Sequence, residues 1–370
     1  MAERQPSKLH VASSNLVSRS ISPSADAPLL PVPTAADRRA AIAATSLALR
    51  RALARTIRAE PRLTTDATAL STGYRSGSPP AQPGGHVSDE PSARAYAAAR
   101  MPATFAACAR AIAAAAERAP GFRPTTVLDV GAGSGASSWA ATAVWPTLVD
   151  LTLLDRQPAA VALGRRLAAA APGAMAAAQW LIADVQAELP GRADLVVAGY
   201  LLGELDDAAR PGVVERLWAA TDGLLILVEP GSPAGFQRIR EARTALIGAG
   251  GHVVAPCPGD EPCPIEDPAW CHFLARLDRS PLQRGAKAAE RSWEDEPFSY
   301  VAVSRVPADP AARLVLGRPR QRPGMVELRV CVDGRIDQRI LSRRDGPAWK
   351  TARDLAWGDA VPENVLDAGR

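Results

Sequence analysis

The chain has 370 residues, 47% hydrophobic and 22% charged, with a net charge of +4. That composition excludes a disordered polypeptide, and Arg or Asp interrupts every apolar run before the roughly 18 residues needed to span a bilayer. The first residues lack an apolar core of signal-peptide length, so neither a membrane protein nor a secreted disulfide scaffold is expected. The length suits two or three domains, or one large domain with appendages. Alanine supplies 75 residues and Arg outnumbers Lys by 40 to 3, a coding bias that weakens any argument from alanine-rich helices. Charge is unevenly spread. Between Arg313 and Lys350 ten Arg or Lys face four Asp or Glu, a local balance of +6. Such a basic module is either an electrostatic footprint for RNA or a solvated face coloured by the arginine bias.

Residues 1–34 are rich in Ser, Pro and Ala without periodicity and read as a disordered tail. Its shortage of acids would also suit a mitochondrial transit peptide. Region 35–118 is expected to be helical. One helix should span Ala35 to Glu60, with Ile42, Leu49, Leu53 and Ile57 on one face. A linker is expected over 72–92, and a second helical stretch from Ala93 to Arg118 should break near Pro102. From Thr125 short apolar runs alternate with helical stretches. The runs are Thr126–Val130, Leu151–Leu154, Trp180–Ala183, Leu195–Ala198 and Leu224–Val228, and the helices fall near 134–145, 158–171, 207–220 and 234–248. Continuous apolar runs at this spacing predict a doubly wound α/β domain with a parallel sheet over 119–251. A Cys-rich segment and a last sheet strand, Phe298–Ser304, then occupy 252–305, with an Arg-rich loop before that strand. A Pro/Arg linker leads to a basic β-hairpin extension over 306–370, in which Met325–Val332 alternates ahead of an Asp333–Gly334 turn.

The strongest local motif is Val127-Leu128-Asp129-Val130-Gly131-Ala132-Gly133-Ser134-Gly135, placed where a strand must turn into a helix. Gly131 and Gly133 let the backbone approach a ligand without a Cβ in the way, and Ser134 serves a helix N-terminus. Asp155 closes the second strand, where a carboxylate can accept both hydroxyls of a ribose. Asp184 closes the third, near an adenine edge. The alternative is a tight turn with Asp155 as a helix cap. The G-x-G-x-G spacing, with Asp129 two residues ahead, resembles the S-adenosyl-L-methionine (AdoMet) loop of class I methyltransferases. It fits neither the G-x-G-x-x-G dinucleotide fingerprint nor the phosphate-binding G-x-x-x-x-G-K-[ST] loop. At the fourth strand the chain reads Ala198-Gly199-Tyr200-Leu201-Leu202-Gly203-Glu204, without the Asn/Asp-Pro-Pro segment of amino-group methyltransferases. Glu204 and Tyr200 are the candidates for a base, Glu204 equally for a helix cap.

Five cysteines occur: Cys108, Cys257, Cys263, Cys271 and Cys331. Cys108 lies in an alanine-rich helix and reads as a small buried hydrophobe. The next three form C-x5-C-x7-C, and Cys331 sits on the hairpin strand with parity opposite to Val326, Leu328, Val330 and Val332. Clustered cysteines in a reducing compartment read as metal ligands before disulfides. Four thiolates suit Zn²⁺ or a [4Fe–4S] cluster, a Cys3His zinc site with His272 or His252 is a further option, and three unrelated buried thiols are the plain alternative.

Taken together the residues resemble the methyltransferase-like small-ribosomal-subunit family, mitochondrial ribosome assembly factors and their bacterial relatives. The resemblance runs from Tyr96-Ala97-Ala98-Ala99-Arg100-Met101-Pro102 through the Val127–Gly135 loop, Tyr200–Leu205, Val228-Glu229-Pro230-Gly231 and His252–Cys257. It continues with Trp270-Cys271-His272-Phe273, Glu294–Tyr300 and the Cys331 hairpin, so that it covers about 93–358. It implies an AdoMet-binding Rossmann-like core, a [4Fe–4S] cluster on Cys257, Cys263, Cys271 and Cys331, and docking on small-subunit rRNA or a precursor small subunit during maturation. Methyl transfer to rRNA is one option; a zinc-stabilised protein methyltransferase without RNA contact is the rival. A monomer is expected, away from membranes, in a bacterial cytoplasm or alternatively the mitochondrial matrix.

Overall fold

The computed structural model describes residues 32–76, 87–307 and 313–368. The tail expected over 1–34 lies outside them through residue 31. Helix α1 (Ala35–Thr56) starts at Thr34, whose hydroxyl and backbone exchange hydrogen bonds with Asp37 in a capping box. Its expected face is inward: Leu49, Leu53 and the C-cap Ile57 are buried. Both ends of the linker expected over 72–92 are helical. Helix α2 (Pro61–Ser76) runs into it and α3 (Glu90–Ala99) starts before its end, while 77–86 lie outside the described residues. The break near Pro102 is found at Arg100, where α4 (Met101–Arg118) starts afresh with Pro102 in its first turn, a position that needs no donor. Alanines 103, 107, 111, 115 and 116 of α4 are fully buried. Their small side chains let the helix lie close on the sheet.

The core alternates as expected. Strands β1 (Thr126–Val130), β2 (Asp150–Asp155), β3 (Gln179–Ile182), β4 (Ala193–Gly199) and β5 (Thr221–Pro230) are linked through α5 (Ala136–Val144), α6 (Pro158–Ala168) and α7 (Arg210–Ala219). They pair in parallel, in the order β3-β2-β1-β4-β5. Helix α8 (Pro233–Gly248) follows. The sheet does not stop at residue 251. Strand β6 (His252–Ala255) lies at its edge, and β8 (Trp293–Ser304) inserts antiparallel between β5 and β6. Strand β7 (Phe273–Asp278) forms an antiparallel hairpin with the first half of β8, and α9 (Pro281–Ala286) occupies its connection. The Arg-rich loop expected there is thus a strand and a short helix, and β8 begins five residues earlier than its apolar run.

A separate three-stranded sheet, β11-β10-β9, follows from β9 (Arg313–Arg322), β10 (Met325–Val332) and β11 (Arg335–Ser342). The Pro/Arg linker expected before β10 is itself β9. Pro319 is accommodated where the register slips between Glu327 and Arg329, with Gly317 at positive φ. Asp333 and Gly334 make the expected turn, both at positive φ. Helices α10 (Pro347–Asp354) and α11 (Glu363–Ala368) cover one face, packing Ala352, Val365 and Leu366 on Val326, Leu328 and Val330. Cys331, on the opposite face with Leu314 and Leu316, joins the main core.

Helix α8 is held tightly to the end of β5. A Cβ on Gly235 would fall 2.0 Å from the Pro230 carbonyl oxygen, a backbone atom with no freedom to yield. Gly235→Ala is therefore expected to destabilise the protein by about 2 kcal/mol or more, read as a lower urea midpoint at unchanged m-value.

Candidate cofactor and metal sites

The glycine loop leaves β1 through three left-handed residues, Gly131, Gly133 and Gly135 (φ 70°, 55° and 91°). The amides of Gly131 and Ala132 donate to the Leu154 carbonyl of β2, stitching the loop to the neighbouring strand. A Cβ at Gly131 would meet the Leu201 side chain at 2.7 Å, and one at Gly135 the Trp180 ring at 2.9 Å, whereas Gly133 has nothing within 4 Å. Gly131 and Gly135 are therefore needed for packing, and Gly133 opens onto a cleft.

That cleft is lined by Gly131, Gly133, Ser134, Asp155, Asp184, Tyr200 and Glu204. The Asp155 carboxylate accepts from the Gly133 amide at 2.7 Å and from the Gln157 amide at 2.8 Å. Burial raises its pKa, and these two amides act against the rise. Asp184 accepts from the Gln186 amide at 2.8 Å. Tyr96, Met101 and Thr104 of α3 and α4 and Arg156 of the loop after β2 join the lining; Tyr96 and Met101 lie in a segment that carried the family resemblance, but periodicity alone gave none of the four a role at the cleft. The cleft is narrow, about 90 Å³, against about 300–1,000 Å³ for sites holding drug-sized ligands.

Asp129 and Gly135 are not in the lining. Asp129 is fully buried beneath the loop, where one carboxylate oxygen accepts from the amide and hydroxyl of Ser138 and the other has no partner. It fastens the start of α5 rather than facing the cleft. Tyr200, at the end of β4, is held at φ 60°, a strain of about 1–2 kcal/mol for a residue with a Cβ. Its phenol donates to Glu296, which Arg100 grips with two hydrogen bonds of 2.7 and 3.2 Å. Burial, then the Glu296 charge, pushes the phenol well above its ordinary pKa. Such a group does not act as a base near neutral pH.

The cysteines gather at a second cavity, which β8 borders. Cys257, Cys263, Cys271 and Cys331 all line one cavity of about 390 Å³, with Phe273, Tyr300 and Arg243 among its walls. None is in a disulfide. Arginines fasten the enclosing loops by their carbonyls: Arg118 of α4 donates to Pro256, Arg240 of α8 to Ile265, and Arg243 to Gly259 and Glu261. The Ser299 hydroxyl of β8 donates to the Cys271 carbonyl at 2.8 Å. The hairpin turn closes the far side, Gly334 standing against Glu261 of the cysteine loop. Burial raises the pKa of the Cys257, Cys271 and Cys331 thiols, Cys331 to about 12, and mutual proximity of the thiols adds to the rise. Among the described residues no three or more His, Cys, Asp or Glu side chains are gathered tightly enough to hold a single metal ion; the sulfurs surround a volume. His272 is absent from that lining, stacked instead on Trp270 and edge-on to Trp357. His252 points to Asp260. Cys108 is buried beside Ser137, in keeping with its reading as a core residue.

Strand order β3-β2-β1-β4-β5-β8-β6, the reversed β8 and a glycine-turned cleft at the C-terminal ends of β1 and β2 define a class I AdoMet-methyltransferase fold with N-terminal helices and a partly β C-terminal extension. Comparison with known sequences narrows this. The family model described as mitochondrial small ribosomal subunit Rsm22 matches residues 90–362, and the chain belongs to that family. The human mitochondrial ribosome assembly protein METTL17 is 32% identical over 295 residues, covering 72% of this chain and 62% of METTL17. A mitochondrial Rsm22-cox11 tandem protein of Schizosaccharomyces pombe is 28% identical, over 40% of this chain and 26% of its own length. The chain thus spans less than two thirds of either relative. Among solved structures, magnesium protoporphyrin IX methyltransferase from Synechocystis is 14% identical, covering 56% of this chain and 85% of that one with a TM-score of 0.37.

Protonation of Asp129 bears on stability. Burial lifts its carboxyl to about 7, against about 3.9 unfolded. The folded protein therefore holds this proton more tightly. The associated stability is complete below pH about 4 and is lost as pH rises through 7. Glu229, also buried and raised to about 7, acts in the same sense. Urea unfolding is expected to show stability declining from pH 5 to about 7 and levelling off above, and Asp129→Asn to flatten that decline by up to about 1.4 kcal/mol per pH unit. An unchanged slope would refute the assignment.

Proposed function

We propose that this chain is an assembly factor for the small ribosomal subunit, binding AdoMet in the glycine-loop cleft and a [4Fe–4S] cluster on Cys257, Cys263, Cys271 and Cys331. The observation that carries the cluster is the convergence of four unpaired thiols, from segments as far apart as Cys257 and Cys331, on one walled cavity. The all-sulfur donor set suits either iron or zinc. What favours iron is the spread of the four cysteines over the long β6–β7 loop and strand β10 around one cavity, without the close pair of ligands that a zinc knuckle supplies. The cluster acts structurally: it ties the β10 hairpin to the cysteine loop across the 59 residues between Cys271 and Cys331.

AdoMet is supported by the loop and by the free lone pairs of Asp155, each of whose oxygens takes only one backbone N–H and can still accept a ribose hydroxyl. RNA contact is supported by the basic sheet. Arg318, Arg320 and Arg335 hold their side chains 71%, 76% and 63% exposed, each in a long surface ion pair of 3.5–3.6 Å with Asp295, Glu327 or Asp337, and Trp293 carries the Arg276 guanidinium 4.2 Å above its ring. Such a surface suits phosphates and unpaired bases. Relatives named as mitochondrial support the matrix alternative over a bacterial cytoplasm.

Anaerobically purified protein is expected to be brown, with about four irons per chain, and Cys271→Ser to lose them while AdoMet affinity in calorimetry changes little. Colourless, zinc-loaded protein would refute the cluster. Asp155→Ala is expected to weaken AdoMet binding at least about tenfold, the loss of one charged hydrogen-bonding partner. On sucrose gradients of cell extract the protein should comigrate with precursor small subunits, and the pair Arg318→Glu, Arg320→Glu should move it to the top. Wild-type protein found only at the top would count against the assembly role.

A further inference from the structure

Helix α8 presents Phe236, Ile239 and Leu246 along one buried stripe, and Arg243 stands in the same stripe. Its neighbours Arg238 and Arg240 pair with Glu229 and Asp267. Arg243 differs. It is 5% exposed, lines the cysteine cavity, and among the described residues is paired with no carboxylate. Nη2 donates to the Gly259 and Glu261 carbonyls at 2.8 and 2.6 Å, and Nε, also buried, has no hydrogen-bond partner. Two carbonyl dipoles soften the burial of a guanidinium but leave its charge unmatched, and an unmatched buried charge is among the costlier features a fold can carry. The Cys257 thiol lies beside this charge, and Arg118 and Arg329 add to the positive field at Cys257 and Cys271.

We infer that the cysteine cavity is built for an anionic centre and that Arg243 supplies its counter-charge while clamping the Cys257–Cys263 loop. The inference rests on the cluster reading above. A [4Fe–4S] core held by four thiolates is negative in both redox states and gains a further negative charge on one-electron reduction. A fixed buried cation therefore favours the reduced form and raises the reduction potential. It also offsets the mutual repulsion of four thiolates around one centre, so that the metal is held more tightly.

The test compares full-length wild-type protein with Arg243→Gln and Arg243→Lys, all purified anaerobically. Potentials are read by dye-mediated redox titration with electron paramagnetic resonance, and metal retention by the rate of transfer to a chelator. Gln keeps donors for the two carbonyls without the charge; Lys keeps the charge. The Gln variant is expected to titrate at lower potential and to release iron several-fold faster, with Lys close to wild type in potential. A Gln variant with full iron and an unshifted potential would overturn the inference, leaving Arg243 as a loop clamp only. If the Gln variant fails to fold, Lys decides: a wild-type potential supports the counter-charge and a displaced one overturns it. Wild-type protein holding zinc instead would sink the cluster reading alone, since faster zinc release from Gln but not Lys still reports the charge. Protein that binds neither metal would overturn both.

Discussion

A strand buried on both faces has no solvent to satisfy its backbone, so it must pair on both edges, and β8 meets that demand by running antiparallel between β5 and β6 while its first half pairs with β7. Much of the rest depends on it. Glu296, on the first half, holds Tyr200 at the glycine-loop cleft. Three residues later Ser299 holds the Cys271 carbonyl, and Tyr300 walls the cysteine cavity. One rigid strand thus fixes the geometry of two sites that are remote from each other in sequence.

The second recurring device is arginine bonded to carbonyl oxygens. Arg110 ties α4 to Leu274 of β7 and to Trp357, Arg118 reaches Pro256, and Arg240 and Arg243 reach the cysteine loop. A guanidinium offers five donors in a planar fork, so one side chain can satisfy several carbonyls that no strand or helix accommodates. This is how an irregular segment with little secondary structure of its own is kept in one conformation. The arginine excess of the chain is thereby put to structural use where the loops are longest.

The doubly wound core was legible because parallel strands covered on both faces must read as unbroken apolar runs, and the loop from Asp129 to Gly135 was legible because its glycines have no other economical use. Asp129 shows the limit of that reading. Its position ahead of the loop suggested a ligand group, yet the side chain turns under the backbone to fasten α5. Strands β6, β7 and β9 were missed because they are short, charged or interrupted by Pro319, and only the pairing partner supplied by another part of the chain makes them strands. Arg243 was hidden by a composition in which arginine is everywhere. The signal was its place in the stripe of Phe236, Ile239 and Leu246, where an apolar residue is due.

By itself the amino-acid order determined the local matters: where the backbone alternates, where it turns through glycine, and which side chains of β10 lie on the face opposite Cys331. These follow from periodicity and from the steric freedom of single residues. Only the tertiary structure decided that four sulfurs share a cavity, that a buried cation faces it, and that Gly133 rather than Gly135 opens to the cleft. Such facts depend on which distant surfaces come into contact, and contact is a property of the packed chain rather than of any segment within it.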